Sequence, residues 1–182
     1  METATMTTTK WKLDPTHSDI GFKVKHMMIT NVSGSFKKFD ATAETTGLDF
    51  STARIKFTAD VDSITTANDD RDTHLKSADF FDSDNHPKLT FVSSKVEKVD
   101  DENYVVHGDL TIRDVTKPIK INVEFGGIGK DPWGNEKAGF TISGKINRTD
   151  YKLNWNAALE AGGVLVGEEV KLQGDIQFVK QA

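Results

Sequence analysis

The sequence predicts an all-β protein, an eight-stranded antiparallel up-and-down barrel with one helical insertion between two strands. Three observations carry this expectation. Apolar and polar residues alternate with a period of two in run after run, which gives each strand one bulky face. Turn signals separate the runs closely enough for most neighbours to pair as hairpins. Only the stretch from Ala67 to Asp82 leaves that pattern and counts in helical turns. A meander with one long insertion suits a closed barrel better than a Greek-key sandwich.

Residues 1–9 are polar and threonine-rich and are expected to form a disordered tail before a single domain spanning 10–182. No apolar run of the signal-peptide kind occurs there, so a cytoplasmic location is expected, or a periplasmic one if this N-terminus is processed or engineered. Asp14, His17 and Ser18 superficially resemble a catalytic triad. Without a nucleophile elbow such as GxSxG they read instead as a turn stapled by side-chain hydrogen bonds.

The first long strand puts Ile20, Phe22, Val24, His26 and Met28 on one face and Gly21, Lys23, Lys25 and Met27 on the other. Residues 32–45 form a weaker run with a disturbance near Lys37 and Lys38. Ile55, Phe57, Ala59 and Val61 then oppose Arg54, Lys56, Thr58 and Asp60. In the helical stretch, Ala67, Arg71, His74, Ala78 and Phe81 fall in one stripe. Thr66 with Asp69 resembles a capping box, and Asp72 with Lys76 an exposed pair one turn apart. Further strands are expected at 89–99, 104–112, 119–125, 138–146 and 170–178. Turns are expected at Asn31, Thr46-Gly47, 100–103, Lys117-Pro118, 131–135 and Gly162-Gly163.

At 182 residues the chain needs only one domain. Its net charge of −5 argues against a nucleic-acid surface, and the lysines read as scattered over solvated strand faces. Cysteine is absent, which removes disulfides and thiolate chemistry. No stretch approaches the ~20 apolar residues of a membrane span, so any lipid must be bound rather than traversed.

Strands of about 12 residues rising ~3.3 Å per residue would build a barrel on the order of 30 Å tall. Its expected lining is Ile20, Phe22, Val24, His26, Met28, Phe36, Ile55, Phe57, Val61, Phe91, Phe140 and Ile142. Small residues beside large ones, such as Ala59 beside Phe57 and Gly144 beside Ile142, suggest open volume; a packed interior is the alternative.

The five histidines form no ligand pair, and no metal or cofactor is expected. His26 reads as a core histidine, His86 as structural and His107 as exposed. No catalytic constellation emerges. Arg71 and His74 could address a ligand's polar head, or fasten the helix to the rim. Leu75 belongs to the same lid, with Phe80 and Phe81 as packing anchors. Asn147, Arg148 and Asp150 either close a turn or line a cavity mouth.

Several spaced motifs resemble the YceI-like family: Asp14 to Ser18 with the strand through His26-Met27, Gly34-Ser35-Phe36, Ile64-Thr65-Thr66, Arg71 to Leu75, Phe80-Phe81 and Asn147 to Asp150. The resemblance runs from Trp11 to Lys180. It implies an extended lipocalin-like barrel with a helical insertion, a homodimer, and a long amphiphile as ligand, such as a polyisoprenoid, isoprenoid quinone or fatty-acid derivative. This chain has Lys152 after Tyr151, where such proteins commonly have glycine. The reading that follows is a non-catalytic binder or carrier with no nucleic-acid partner. Its rivals are an enzyme using His74 and Arg71, and a barrel presenting Trp133 and Trp155 to a protein.

Overall fold

The computed structural model describes residues 7–157, 159 and 163–182. Its strands are β1 (Thr8–Leu13), β2 (Asp19–His26), β3 (Thr30–Phe36), β4 (Phe39–Thr46), β5 (Asp49–Asp60), β6 (Ile64–Thr65), β7 (Lys88–Lys98), β8 (Asn103–Ile112), β9 (Val115–Lys130), β10 (Glu136–Asn147) and β11 (Val166–Lys180). Helix α1 (Asp69–Lys76) stands between β6 and β7. The neighbour order β1-β4-β5-β7-β8-β9-β10-β11 closes through β1 on β11, an eight-stranded antiparallel barrel. This is the fold class the alternation predicts.

Eight ring positions accommodate eleven strands because the early strands are broken. β11 pairs with β1 near Phe178 and with β2 from Asp175 back to Val166, so β1 and β2 are successive pieces of one edge. Asp14 makes the break between them. It accepts from Thr16 N and Oγ1, His17 Nδ1 and Lys137 Nζ. These bonds, led by the Thr16 hydroxyl and then Lys137, hold its carboxyl well below the usual carboxylate range. The expected turn is present, and its Ser18 Oγ accepts from Gln177 N across the sheet. A second break separates β3 from β4 at Lys37 and Lys38, where the alternation falters.

One expectation at the N-terminus needs correction. Thr8 and Thr9 are not tail but the start of β1, whose Trp11 is 1% exposed and donates from Nε1 to Thr45 Oγ1. Burial alternates along this strand, but a six-residue run beside a threonine tract is too short to stand out by periodicity. Thr7 O accepts from Gly47 N just before the strand, while 1–6 of the expected tail lie outside the described residues, as does Gly162 of the expected glycine turn.

Helix α1 is shorter than the predicted stretch. Ala67 at φ 61° and Asp82 at φ 50° take left-handed conformations that no helix continues through. Asn68, not Thr66, caps the helix by accepting from Arg71 N. Asp72 does not pair with Lys76; its Oδ1 accepts from Thr66 N and Oγ1, tying the helix to β6.

The inward face holds two apolar clusters at opposite strand ends. Trp11, Phe50, Tyr104, Ala138 and Phe178 gather where β5, β8 and β10 begin. Phe36, Ala59, Leu89, Ile112 and Tyr151 gather near the other ends. Between them Ile20, Ile55, Phe57, Val96 and Val123 touch both.

Candidate functional site

The interior between the two clusters is a cavity of about 190 Å³. Its wall is built from inward positions of successive strands, including Phe22, Ala43, Phe57, Ile121, Val123 and Ile142. On β9 and β10 the inward Ile119, Ile121, Val123, Ile142 and Ile146 stay only half-buried. They belong to the barrel's apolar face but border space instead of one another. An apolar void of this kind favours an apolar occupant, because water there would lack hydrogen-bond partners.

Alanines 41, 43 and 53 supply part of the wall. Gly144 does not open volume as expected. A Cβ added there would lie 3.0 Å from Ile121 Cδ1, so its neighbour already fills that place. Gly34 likewise sits under the Phe22 ring, whose Cζ occupies the place a Cβ would take. The missing Cβ lets the ring lie against the strand.

The cavity has an aromatic floor and a lid. Phe50 contacts Trp11, Phe125 and Phe140 with centroids 4.9–5.3 Å apart, closing one end. At the other end Leu75 and Phe81 pack against the core cluster that contains buried Phe80, and Phe81 meets Phe36 edge-on at 6.2 Å. His74 sits edge-on to Trp155 at 4.7 Å and to Phe80 at 5.1 Å. The lid therefore docks on the segment after β10 as well as on the barrel.

Eight of the twelve expected lining residues border the cavity: Ile20, Phe22, Phe36, Ile55, Phe57, Phe91, Phe140 and Ile142. Val61 lies in the turn after β5 and is buried in packing at the lid end. Val24 and His26 lie farther along β2 and do not border it. Met28 is not on the strand at all; it occupies the β2–β3 turn with φ 65° and is 57% exposed. The alternation was extended one turn too far, since nothing in its period marks where pairing stops.

The polar candidates are committed to the protein itself. Arg71 donates from Nε to Thr66 Oγ1 and from Nη2 to Thr66 O, both at 2.7 Å. His74 Nε2 is 2.9 Å from Asp79 Oδ2. Asn147 Oδ1 accepts from Thr149 N and Oγ1, closing a turn. Arg148 is 3% exposed and donates to the carbonyls of Leu153, Trp155, Val166 and Gly167. His107, expected on the surface, is only 23% exposed, with Nε2 3.2 Å from Glu97 Oε1. Sequence reasoning missed Arg113, which donates to Phe80 O and Lys152 O and so ties lid to rim. Lys152 takes φ 65°, the left-handed conformation that glycine adopts most easily.

Tyr151 is 1% exposed, and its hydroxyl has no partner among the described residues. Burial first, and the Asp150 charge second, push it up to about 12 from its ordinary value of 10.0. The folded state thus holds the phenolic proton more tightly than the unfolded chain. Stability is fully present below pH ~10 and declines as pH rises towards 12. Tyr151→Phe is expected to remove that alkaline decline and to raise stability near neutrality by ~1 kcal/mol, because an unpaired buried hydroxyl is deleted. Thermal melts of both proteins from pH 7 upward check it.

The ring of eight strands, the apolar cavity and the lid define a class: small closed β-barrels with interior room for one small molecule. Within it the chain belongs to the YceI-like family, whose model, described as a YceI-like domain, matches residues 11–178. A UPF0312 protein of Staphylococcus epidermidis is 43% identical over 171 residues, covering 93% of this chain and 97% of that one. The crystal structure of a Campylobacter jejuni YceI protein superposes with a TM-score of 0.75 at 33% identity, covering both chains completely. A polyisoprenoid binding domain from Saccharophagus degradans superposes with a TM-score of 0.68, covering 94% of this chain and 98% of that one. At 14% identity that likeness concerns the fold alone. No helix among the described residues is long and apolar enough to cross a membrane.

Proposed function

We propose that the protein binds a long-chain amphiphile, carrying or sequestering it with the tail in the barrel and the head at the rim. Polyisoprenoids, isoprenoid quinones and fatty-acid derivatives are the ligand classes. The observation that carries this reading is the apolar cavity inside a closed barrel, with the helical insertion packed on the core cluster at one end. At ~10–15 Å³ for each water-sized position, its 190 Å³ has room for roughly a dozen methylene-sized groups. Burying about ten of them contributes on the order of 8 kcal/mol before the costs of association. The tail then supplies most of the binding energy, with the head group adding the remainder. That suits a site whose nearby Arg71, His74 and Arg148 already bond to the protein's own groups.

The polyisoprenoid-binding role in the name of the Saccharophagus domain is consistent with this ligand class. The reading is non-catalytic and includes a homodimer, which the family resemblance supports. Native mass spectrometry of protein purified without added lipid is the test. A stoichiometric long-chain adduct is expected; an empty barrel that takes up neither prenyl nor acyl chains would overturn the reading.

A further inference from the structure

Outside the cavity, one surface combines three features that folding does not require. The first is a row of lysines. Cross-strand register places Lys171 of β11 directly between Lys145 of β10 and Lys23 of β2. Lys120 of β9 and Lys145 flank the paired Ile121 and Gly144, which extends the row by one strand. Like charges opposite one another destabilise a sheet. Yet none of the four makes an ion pair among the described residues, while lysines elsewhere on the barrel do. In a chain of net charge −5 this row is a local run of positive charge with no acidic partner among the described residues.

The second feature is the β2–β3 turn, which begins directly after β2. Met27, Met28 and Ile29 are 45%, 57% and 77% exposed, with exposed Val164 on the segment that Leu165 hydrogen-bonds to Met27. The third is the backbone of that turn. Met27 and Met28 lie at φ 53° and 65°, and Ile29 N donates to His26 O. Two consecutive left-handed residues in a tight hairpin are ordinarily Asn-Gly. Here bulky apolar side chains hold a conformation that disfavours them and present themselves to solvent.

We propose that this face docks on an anionic lipid bilayer, with the Met27-Met28-Ile29 tip entering the headgroup boundary and the lysine row lying against acidic lipid. An apolar anchor beside unpaired cations is the pattern of peripheral membrane binding. The lysines alone would also suit nucleic acid, but the apolar tip would then have no role. A second copy meeting this face would bring like charges close together. The inference does not require an occupied barrel, so it stands or falls separately from tail binding.

The test is co-sedimentation of the full chain with vesicles of phosphatidylcholine mixed with phosphatidylglycerol, and of phosphatidylcholine alone. Binding to the mixed vesicles is expected, falling with salt and about fivefold for each of Lys23, Lys145 and Lys171 replaced by Gln. The double variant Met27→Asn, Met28→Gly supplies the residues the turn prefers, so it should fold at least as well and lose vesicle binding. Equal binding to neutral vesicles, no binding to anionic ones, or binding untouched by these variants would overturn the proposal. So would a short DNA duplex bound more tightly than the mixed vesicles, or a dimer that the turn variant dissolves.

Discussion

Arg148→Met is expected to destabilise the protein by ~3–5 kcal/mol, lowering the melting temperature by roughly 10–15 °C for a chain of this size. The guanidinium is buried and its partners are main-chain carbonyls rather than a carboxylate. Burial lowers its tendency to hold a proton, with Glu168 acting in the other direction. Replacing a buried ion pair with apolar side chains can be neutral because both charges leave together. Here the acceptors cannot leave. Val166 O keeps Asn156 Nδ2 as a donor, but the carbonyls of Leu153 and Trp155 lose theirs.

Arg148→Lys should recover little, since one ammonium cannot spread planar donors over carbonyls from two separate segments. The damage should extend to the lid, because Trp155, held through its carbonyl by Arg148, is the surface against which His74 and Phe80 rest. Thermal melts give the stability change. Hydrogen exchange across 69–81 tests the lid, where a purely local cavity at residue 148 would leave protection unchanged.

What could be read in advance followed from period-two patterning, and what could not depended on register or on contacts distant in sequence. Ile119, Ile121 and Val123 announce an inward face without reference to any other strand, and that face borders the cavity. The faltering at Lys37 and Lys38 likewise marks the β3–β4 break, because a disrupted ladder disrupts alternation locally. Arg148 was legible only as a polar residue at a strand end. Its role depends on a loop returning to place Val166 and Gly167 within reach. The lysine row was invisible for the same reason: Lys23 and Lys171 are far apart in the chain, and only the pairing of β2 with β11 makes them neighbours. The helix was overextended because its stripe continues through Ala78 and Phe81 while the backbone turns at Ser77.

Filling the cavity should abolish ligand retention without harming the fold. Val123 and Ile142 form a cross-strand pair, both border the void, and both are only half-buried. Val123→Phe with Ile142→Phe places two rings where the proposed tail would run. Displacing about four methylenes at ~0.8 kcal/mol each forfeits ~3 kcal/mol, on the order of a hundredfold in affinity for a prenyl or acyl probe. Native mass spectrometry should then find the purified variant empty. Stability supplies an independent sign. Extra carbons forced into a packed core cost ~1–3 kcal/mol, whereas carbons added to a void usually stabilise by ~0.5–2 kcal/mol. A variant that melts higher and binds nothing establishes the void as both real and the binding site. One that melts lower means the interior is packed at this pair, and one that melts higher yet keeps its ligand moves the tail elsewhere.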